Sequence, residues 1–294
     1  MQILQYLING ISIGSVYAII ALGYTMVYGI AKMLNFAHGD IIMVGAYISF
    51  CVTNYLGLPA VVSVIAAMVV CTLLGILIEK LAYMPLRGTP SLAVLITAFG
   101  GSYFLQNGAQ WIWGSAPKNF ASIVPLKPIF LAGGALVITG EVIVTILASV
   151  LIMVGLTLFT TKTKIGKAMR AVSEDRAAAQ LMGINVNGII TVTFAIGSAL
   201  AALAGLFYLL KAPAVSNTMG AMPGIKAFTA AVIGGIGSIP GAMLGGILLG
   251  IVESISYKIP AIAPYTDAIE FSVLIMILLV RPTGFLGKKR REKV

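Results

Sequence analysis

The sequence has 294 residues, of which 59% are hydrophobic and only 10% charged, and its formal net charge is +10. A water-soluble domain carries about 45–50% apolar and about 25% charged residues, so this chain lacks the polar surface that a soluble globule needs. The composition excludes a soluble fold and predicts an all-α integral membrane protein, in which the basic residues set the orientation of the chain.

Apolar runs recur along the sequence, most of them near the length of about 20 residues that crosses a bilayer and two of them, 41–56 and 267–280, shorter. They occupy residues 8–31, 41–56, 60–78, 90–113, 141–161, 188–210, 227–252 and 267–280. We expect one transmembrane domain over residues 1–294, a polytopic helical bundle of about 8–10 spans. Between the fourth and fifth runs, residues 128–139 resemble a small β-hairpin with a Gly-Gly turn.

Lysine and arginine concentrate in the loops 79–89 and 162–187 and in the tail 281–294. The positive-inside rule predicts that all three segments are cytoplasmic. Three simple crossings between loop 162–187 and the tail would place the tail outside, so the run 227–252 must turn back or count twice. The residues that mark its break are Gly234, Gly235, Gly237, Ser238 and Pro240.

A second irregular element is predicted where a polar segment separates the first two apolar runs. It contains Asn35, His38, Gly39 and Asp40. Broken or re-entrant helices in both halves of a chain are typical of inverted-repeat transporters, whose pathway lies at the repeat interface. These residues and those of the 234–240 break are therefore our candidates for the translocation pathway.

Each candidate also has a structural interpretation. His38, the single histidine of the sequence, can be a hydrogen-bonded packing residue. Asp40 can cap a helix that starts near Ile41, which we favour. The glycines between 234 and 250 permit close helix packing in lipid, which we place before a pathway-lining role.

The loop 162–187 holds the longest segment of cytoplasmic character between spans. Within it, Ser173 can N-cap a helix whose first turn carries Glu174 and Asp175 and which Gly183 ends. The residues able to form one apolar face of this helix are Ala178, Leu181 and Met182. Such a helix suits a groove on a partner protein, and a solvated connector is the open alternative.

Three segments together resemble permeases of branched-chain amino-acid ABC importers, of the LivH type. They are Gly166-Lys167-Ala168-Met169-Arg170-Ala171 followed by Glu174-Asp175, Ala178 and Gly183-Ile184-Asn185; Asn35-Phe36-Ala37-His38-Gly39-Asp40; and residues 226–242. The resemblance covers essentially the whole chain, although the family often has Glu at the position of Asp40.

The resemblance implies a type II ABC importer-like fold in a bacterial inner membrane, with this multi-pass chain as a non-enzymatic subunit. Its implied partners are a second related permease, two cytoplasmic ABC ATPases that use ATP and Mg²⁺, and an extracytoplasmic amino-acid binding protein. The chain itself would bind no cofactor and no metal. The sequence holds no Gly-x-x-x-x-Gly-Lys-Ser/Thr phosphate loop, which agrees with ATP hydrolysis on separate subunits.

The loop 162–187, which we call the coupling loop, is the segment that the resemblance assigns to contact with the ATPases. Its implied coupling residues are Gly166, Arg170, Ser173, Glu174, Asp175, Ala178, Leu181, Met182 and Gly183. The expected substrates are leucine, isoleucine and valine.

Two alternatives stay open at this point. A permease of the same family could carry urea, short amides or another small solute. An ion-coupled secondary transporter would need intramembrane ionisable residues, for which Asp40, Glu253, Glu270 and His38 are the few candidates.

Overall fold

The computed structural model describes residues 2–120, 126–131 and 136–287. Eleven α-helices make up most of this described part, and the sequence patterns place nearly all of them. They are α1 (Gln2–Ala31), α2 (His38–Phe50), α3 (Ala60–Ile78), α4 (Ser91–Trp113), α5 (Gly140–Lys162), α6 (Lys164–Glu174), α7 (Arg176–Leu181), α8 (Val186–Lys211), α9 (Ala221–Gly234), α10 (Ile239–Ser256) and α11 (Thr266–Val280).

Two helices continue as π-helical turns, Cys51–Tyr55 after α2 and Glu79–Tyr83 after α3. The second turn extends α3 into the segment 79–89, which its charges had predicted to be a loop. A 3₁₀ turn, Ala263–Tyr265, leads into α11.

Four short strands form two antiparallel pairs. β1 (Lys118–Asn119) pairs with β4 (Ala214–Val215). β2 (Ile129–Leu131) pairs with β3 (Leu136–Ile138), with Ile129 opposite Ile138. The predicted hairpin over 128–139 is confirmed, while its Gly-Gly turn lies outside the described residues.

Six helical segments in the described part are long and apolar enough to cross a membrane by length and composition. They are Gln2–Ala31, Ala60–Tyr83, Gly140–Lys162, Val186–Lys211, Ile239–Ser256 and Ala263–Val280. α9, with 14 residues, is too short for a full crossing alone. Large apolar side chains such as Leu73, Phe104 and Leu151 are exposed, as expected of a surface that faces lipid.

The predicted break in the run 227–252 is confirmed. α9 ends at Gly234 and α10 begins at Ile239. Between them, Gly235 and Gly237 adopt φ values of +100° and +94°, a left-handed conformation that costs side-chain-bearing residues about 1–2 kcal/mol. Glycine is required there by the backbone, which is why a glycine cluster marked the position in the sequence.

The chain divides into two compact units. One contains residues 1–25, 124–153 and 226–294, and the other contains residues 26–123 and 154–225. In the first unit α1 packs against α10 at small residues: a Cβ on Gly10 would lie 2.8 Å from Ile251 Cα, and one on Gly14 2.6 Å from Ile247 Cα. From the α10 side, a Cβ on Gly246 would lie 2.6 Å from Ala18 Cα and one on Gly250 would collide with Gly14 Cα, which agrees with the predicted packing role of the α10 glycines.

The second unit is built on α2, α3 and α8. A Cβ on Gly45 of α2 would lie 2.7 Å from the Cα of Ala202 in α8, and one on Gly75 of α3 would lie 2.6 Å from Ser198 Cβ. A buried cluster of Met43, Tyr47, Phe50, Leu209 and Val215 continues this packing towards the β1–β4 pair. Small residues at the crossings let the three backbones approach closely in the absence of a hydrophobic driving force.

Candidate functional site

The coupling loop forms two short helices between the ends of two spans. Thr163 caps α6, and its Oγ1 accepts a hydrogen bond from the Gly166 amide at 3.0 Å. Gly166 packs against the backbone of Phe159 and Thr160, where any side chain would collide. Arg170 is exposed, and its guanidinium donates to the Thr161 carbonyl at 3.3 Å. α6 is thus fixed to the end of α5.

The predicted helix from Ser173 to Met182 is wrong in its start. Ser173 lies inside α6, and its hydroxyl donates to the Arg170 carbonyl at 2.7 Å instead of capping a helix. α6 ends at Glu174, and the extended backbone of Asp175 turns the chain. Asp175 caps α7, with its carboxylate accepting from the Ala178 amide at 3.0 Å. Both residues have capping side chains, so the sequence alone did not distinguish them.

The predicted apolar face of the second helix is present and open. Ala178 is exposed, and Leu181 and Met182 are 89% and 81% exposed. Gly183 ends this region with φ +79°, as predicted from its glycine. Large apolar side chains that are this exposed outside the spans are in contact with water, which is unfavourable. Binding to a partner surface would remove their apolar area from water.

Arg176, the first residue of α7, ties this face to the end of α1. Its guanidinium donates to the carbonyl of Ile30 at 3.3 Å and to that of Ala31. Burial lowers the pKa of Arg176 from its ordinary value, and the positive charge of Arg87 nearby lowers it further. The last carbonyls of a helix lack intrahelical partners, and this cation satisfies them. No local pattern in the sequence indicates this contact, since Arg176 and Ala31 are 145 residues apart.

A second polar network braces the same region. The carboxylate of Glu79 is fully buried and pairs with the guanidinium of Arg87. It also accepts a hydrogen bond from the Thr191 hydroxyl at 2.8 Å, and Arg87 donates to the side-chain oxygen of Asn187. These contacts join the end of α3 to the start of α8. They connect residues up to 112 positions apart, so no local pattern in the sequence indicated them.

The polar segment before α2 is buried. The Tyr83 hydroxyl donates to the side-chain oxygen of Asn35 at 2.9 Å, and His38 is also buried. Gly39 packs against the backbone of Gly220: a Cβ on Gly39 would lie 2.6 Å from the carbonyl oxygen of Gly220. These predicted pathway residues are adjacent in the structure, and their pathway role stays a prediction.

The favoured capping role of Asp40 is wrong. α2 begins at His38 after Ala37, and its start carries no side-chain cap. Asp40 lies inside the first turn, where its buried carboxylate accepts a hydrogen bond from the Gln106 amide at 2.9 Å. α2 starts three residues earlier than the apolar pattern indicated, so Asp40 lies within the helix. Its carboxylate joins α2 to α4 through the bond to Gln106.

The residues of the 234–240 break have local structural roles. Ser238 caps α10, with its hydroxyl accepting from the Gly241 amide at 3.2 Å, and Pro240 stands in the first turn. Backbone amides of Phe285 and Leu286 donate to the carbonyls of Ile233 and Gly234 at 2.9 and 3.0 Å. The segment after α11 thus provides hydrogen-bond donors for the last carbonyl groups of α9. Whether these residues also line a pathway stays a prediction.

The arrangement suits mechanical transmission better than bond chemistry. Among the described residues, no group of three His, Cys, Asp or Glu side chains is placed to hold a metal ion. The second unit instead offers an exposed apolar tip on α7, a cation that grips the end of α1, and a buried ion pair that braces α3 against α8.

Comparison with known proteins gives concordant matches. The profile of the family described as "Branched-chain amino acid transport system / permease component" matches residues 6–279. BraD of Pseudomonas aeruginosa, a high-affinity branched-chain amino acid transport system permease protein, is 44% identical over 99% of this chain and 98% of its own length. LivH of Escherichia coli K12, named in the same terms, is 40% identical over 100% and 98%.

A solved structure has a similar fold. PsaBC from Streptococcus pneumoniae, in complex with Fab, matches with a TM-score of 0.50 at 18% identity, covering 98% of this chain and 92% of that chain. At this identity the likeness concerns the fold alone.

Proposed function

Because this chain belongs to the family of permease components of branched-chain amino acid transport systems, we propose that it carries leucine, isoleucine and valine across the cytoplasmic membrane. The chain is a multi-pass membrane permease, and its described part contains six long apolar helices. The substrates come from the names of its relatives BraD and LivH, which match it over nearly their full length.

We propose that the importer also contains a second related permease, two cytoplasmic ABC ATPases and an extracytoplasmic binding protein. In this scheme the binding protein delivers the amino acid, and the ATPases bind Mg²⁺ and ATP. The permease provides the path and needs no catalytic group. The lack of a phosphate loop in the sequence supports this division of labour.

The exposed tip of α7 is the observation that carries the proposal. Ala178, Leu181 and Met182 form an apolar knob on a segment that connects two spans and that lies, by the positive-inside rule, in the cytoplasm. A short helix that presents apolar anchors fits a hydrophobic groove on a soluble partner. We propose that one of the two ATPases binds this knob and moves it during the ATP cycle.

The contacts of Arg176 supply the next step. A displacement of α7 would pull on the last carbonyls of α1, to which Arg176 is bonded. Five residues later the chain reaches the buried segment of Asn35, His38 and Asp40. We propose that this linkage couples the ATPases to the helix ends that open or close the pathway.

Reconstitution tests the proposal. The complete importer in proteoliposomes should accumulate radiolabelled leucine only with ATP and the binding protein, and valine and isoleucine should compete. This chain alone should show neither ATP hydrolysis nor uptake. Leucine uptake by the chain alone, driven by a sodium or proton gradient, would contradict the importer assignment.

Variants of α7 test the docking step. Ala178→Arg places a charge in the apolar knob and should abolish ATPase association and ATP-driven uptake while membrane insertion is kept. Gln180→Arg is the matched control, because Gln180 is exposed on the same helix but about 150° from the knob's centre at 3.6 residues per turn. Equal association in the two variants would reject docking at this knob.

A further inference from the structure

The first unit contains a cluster of charged side chains that the proposed transport mechanism does not use. Lys226 of α9 lies 2.9 Å from Asp267, 3.3 Å from Glu270 and 3.4 Å from Glu253, measured from its ammonium nitrogen to a carboxylate oxygen. Glu253 belongs to α10, and the other two acids belong to α11. We call these four residues the Lys226 cluster. It joins three helices at one point.

The cluster is largely shielded from solvent. Lys226, Glu253 and Glu270 are buried, and only Asp267 is half exposed. One oxygen of Glu270 and one of Glu253 are fully buried and accept no hydrogen bond from the described residues. A buried carboxylate oxygen without a donor is destabilising, and more so when the group is charged, so these two atoms favour a state in which less charge is buried.

The charges of the cluster do not balance. One ammonium faces three carboxyl groups, which leaves a formal charge of −2 if every acid is ionised. Within the described residues, the neighbours of the ammonium are aromatic: Tyr17 of α1 presents its ring to Lys226 at 5.9 Å, and Tyr257 follows α10. Lys258 lies over the ring of Tyr6.

We propose that Glu270 holds a proton, so that the buried part of the Lys226 cluster is one ammonium, one carboxylate and one carboxylic acid. A proton converts the bare, buried oxygen of Glu270 from an acceptor without a donor into the hydroxyl of a carboxylic acid. It also removes one of two adjacent negative charges from a site of low dielectric.

A proton fits this site better than a metal ion. The three carboxylates surround an ammonium group, which repels a metal cation from the centre of the cluster. Among the described residues they do not form a group able to hold a metal. The site lies at the start of α11, opposite the basic segment that follows Val280, and so on the extracytoplasmic side in our orientation.

The bound proton links the stability of the first unit to pH. Where the native state holds one proton that the unfolded chain has released, stability falls as pH rises. One extra proton in the native state lowers the folding equilibrium constant tenfold for each unit by which the pH rises. This holds between the pH at which an ordinary Glu in the unfolded chain loses its proton and the pH at which the native site releases it.

Difference infrared spectroscopy of the full chain in nanodiscs tests the proposal. At neutral pH the chain should show the carbonyl band of a buried carboxylic acid, shifted in D₂O and lost in Glu270→Gln. Glu141→Gln is the matched control, because Glu141 begins α5 outside the Lys226 cluster, and should keep the band. No band in the unaltered chain, or its survival in Glu270→Gln, would overturn the proposal.

Thermal unfolding provides a second measurement that does not depend on the band. The unaltered chain should lose stability from pH 6 to pH 9, and Glu270→Gln should flatten this dependence. If instead sodium, potassium or calcium ions stabilise the unaltered chain but not Glu270→Gln, with no carboxylic acid band, the site binds a metal cation and the proton assignment is wrong.

Discussion

The ion pair between Glu79 and Arg87 allows a quantitative test of the brace between α3 and α8. Arg87→Met removes the cation and leaves the fully buried carboxylate of Glu79 with the Thr191 hydroxyl as its remaining side-chain partner. Stripping one partner from a buried ion pair destabilises a protein by about 3–5 kcal/mol, which is a loss of about two to three and a half powers of ten in the folding equilibrium constant. Equilibrium unfolding in mixed micelles, followed by circular dichroism, measures this loss.

A double-mutant cycle separates the ion pair from other effects of the substitution. Glu79→Gln/Arg87→Met has no stranded charge, and its amide can still bond to Thr191. It should therefore be more stable than Arg87→Met alone, with a coupling energy of about 2–3 kcal/mol. If the two single variants add with no coupling, Arg87 does not neutralise Glu79 and the brace is refuted.

Two further substitutions test local features, each against a control in the same chain. Gly14→Leu should lower the midpoint of thermal unfolding because a Cβ there meets the backbone of α10 at 2.6 Å, whereas Gly155→Leu should not, since a Cβ at Gly155 meets nothing within 4 Å; equal effects would reject the α1–α10 contact. Asp175→Ala should speed hydrogen exchange of α7 amides about fivefold, the effect of losing a cap worth about 1 kcal/mol, while Ser173→Ala should not; the reverse order would restore Ser173 as the cap.

The membrane fold was predictable because lipid imposes a simple rule on the sequence. Each span needs a long apolar run, and irregular backbone needs glycine or polar residues. The break after Gly234 is an example, since two left-handed glycines are required there and both were visible. The start of α7 was not predictable in the same way, because Ser173 and Asp175 are both competent caps and tertiary contacts decide between them.

The polar networks were beyond local reasoning. In the sequence, Glu79 marked the predicted end of a span. In the structure it belongs to a π-helical turn that continues α3, and its buried carboxylate contacts Arg87 and Thr191. Lys226 belonged to a family motif, and its meeting with Glu253 and Glu270 depends on the packing of three helices. Such contacts join distant parts of the chain and leave no periodic signal.

The side of the membrane on which α7 lies tests the central claim most directly, because ATPases in the cytoplasm must reach it. A variant with Cys51 and Cys71 replaced by Ala and a single cysteine at position 182 reports this side, since Met182 is 81% exposed. A membrane-impermeant maleimide should label this cysteine in inverted vesicles, and bound ATPases should protect it. Labelling in right-side-out vesicles instead would contradict the account.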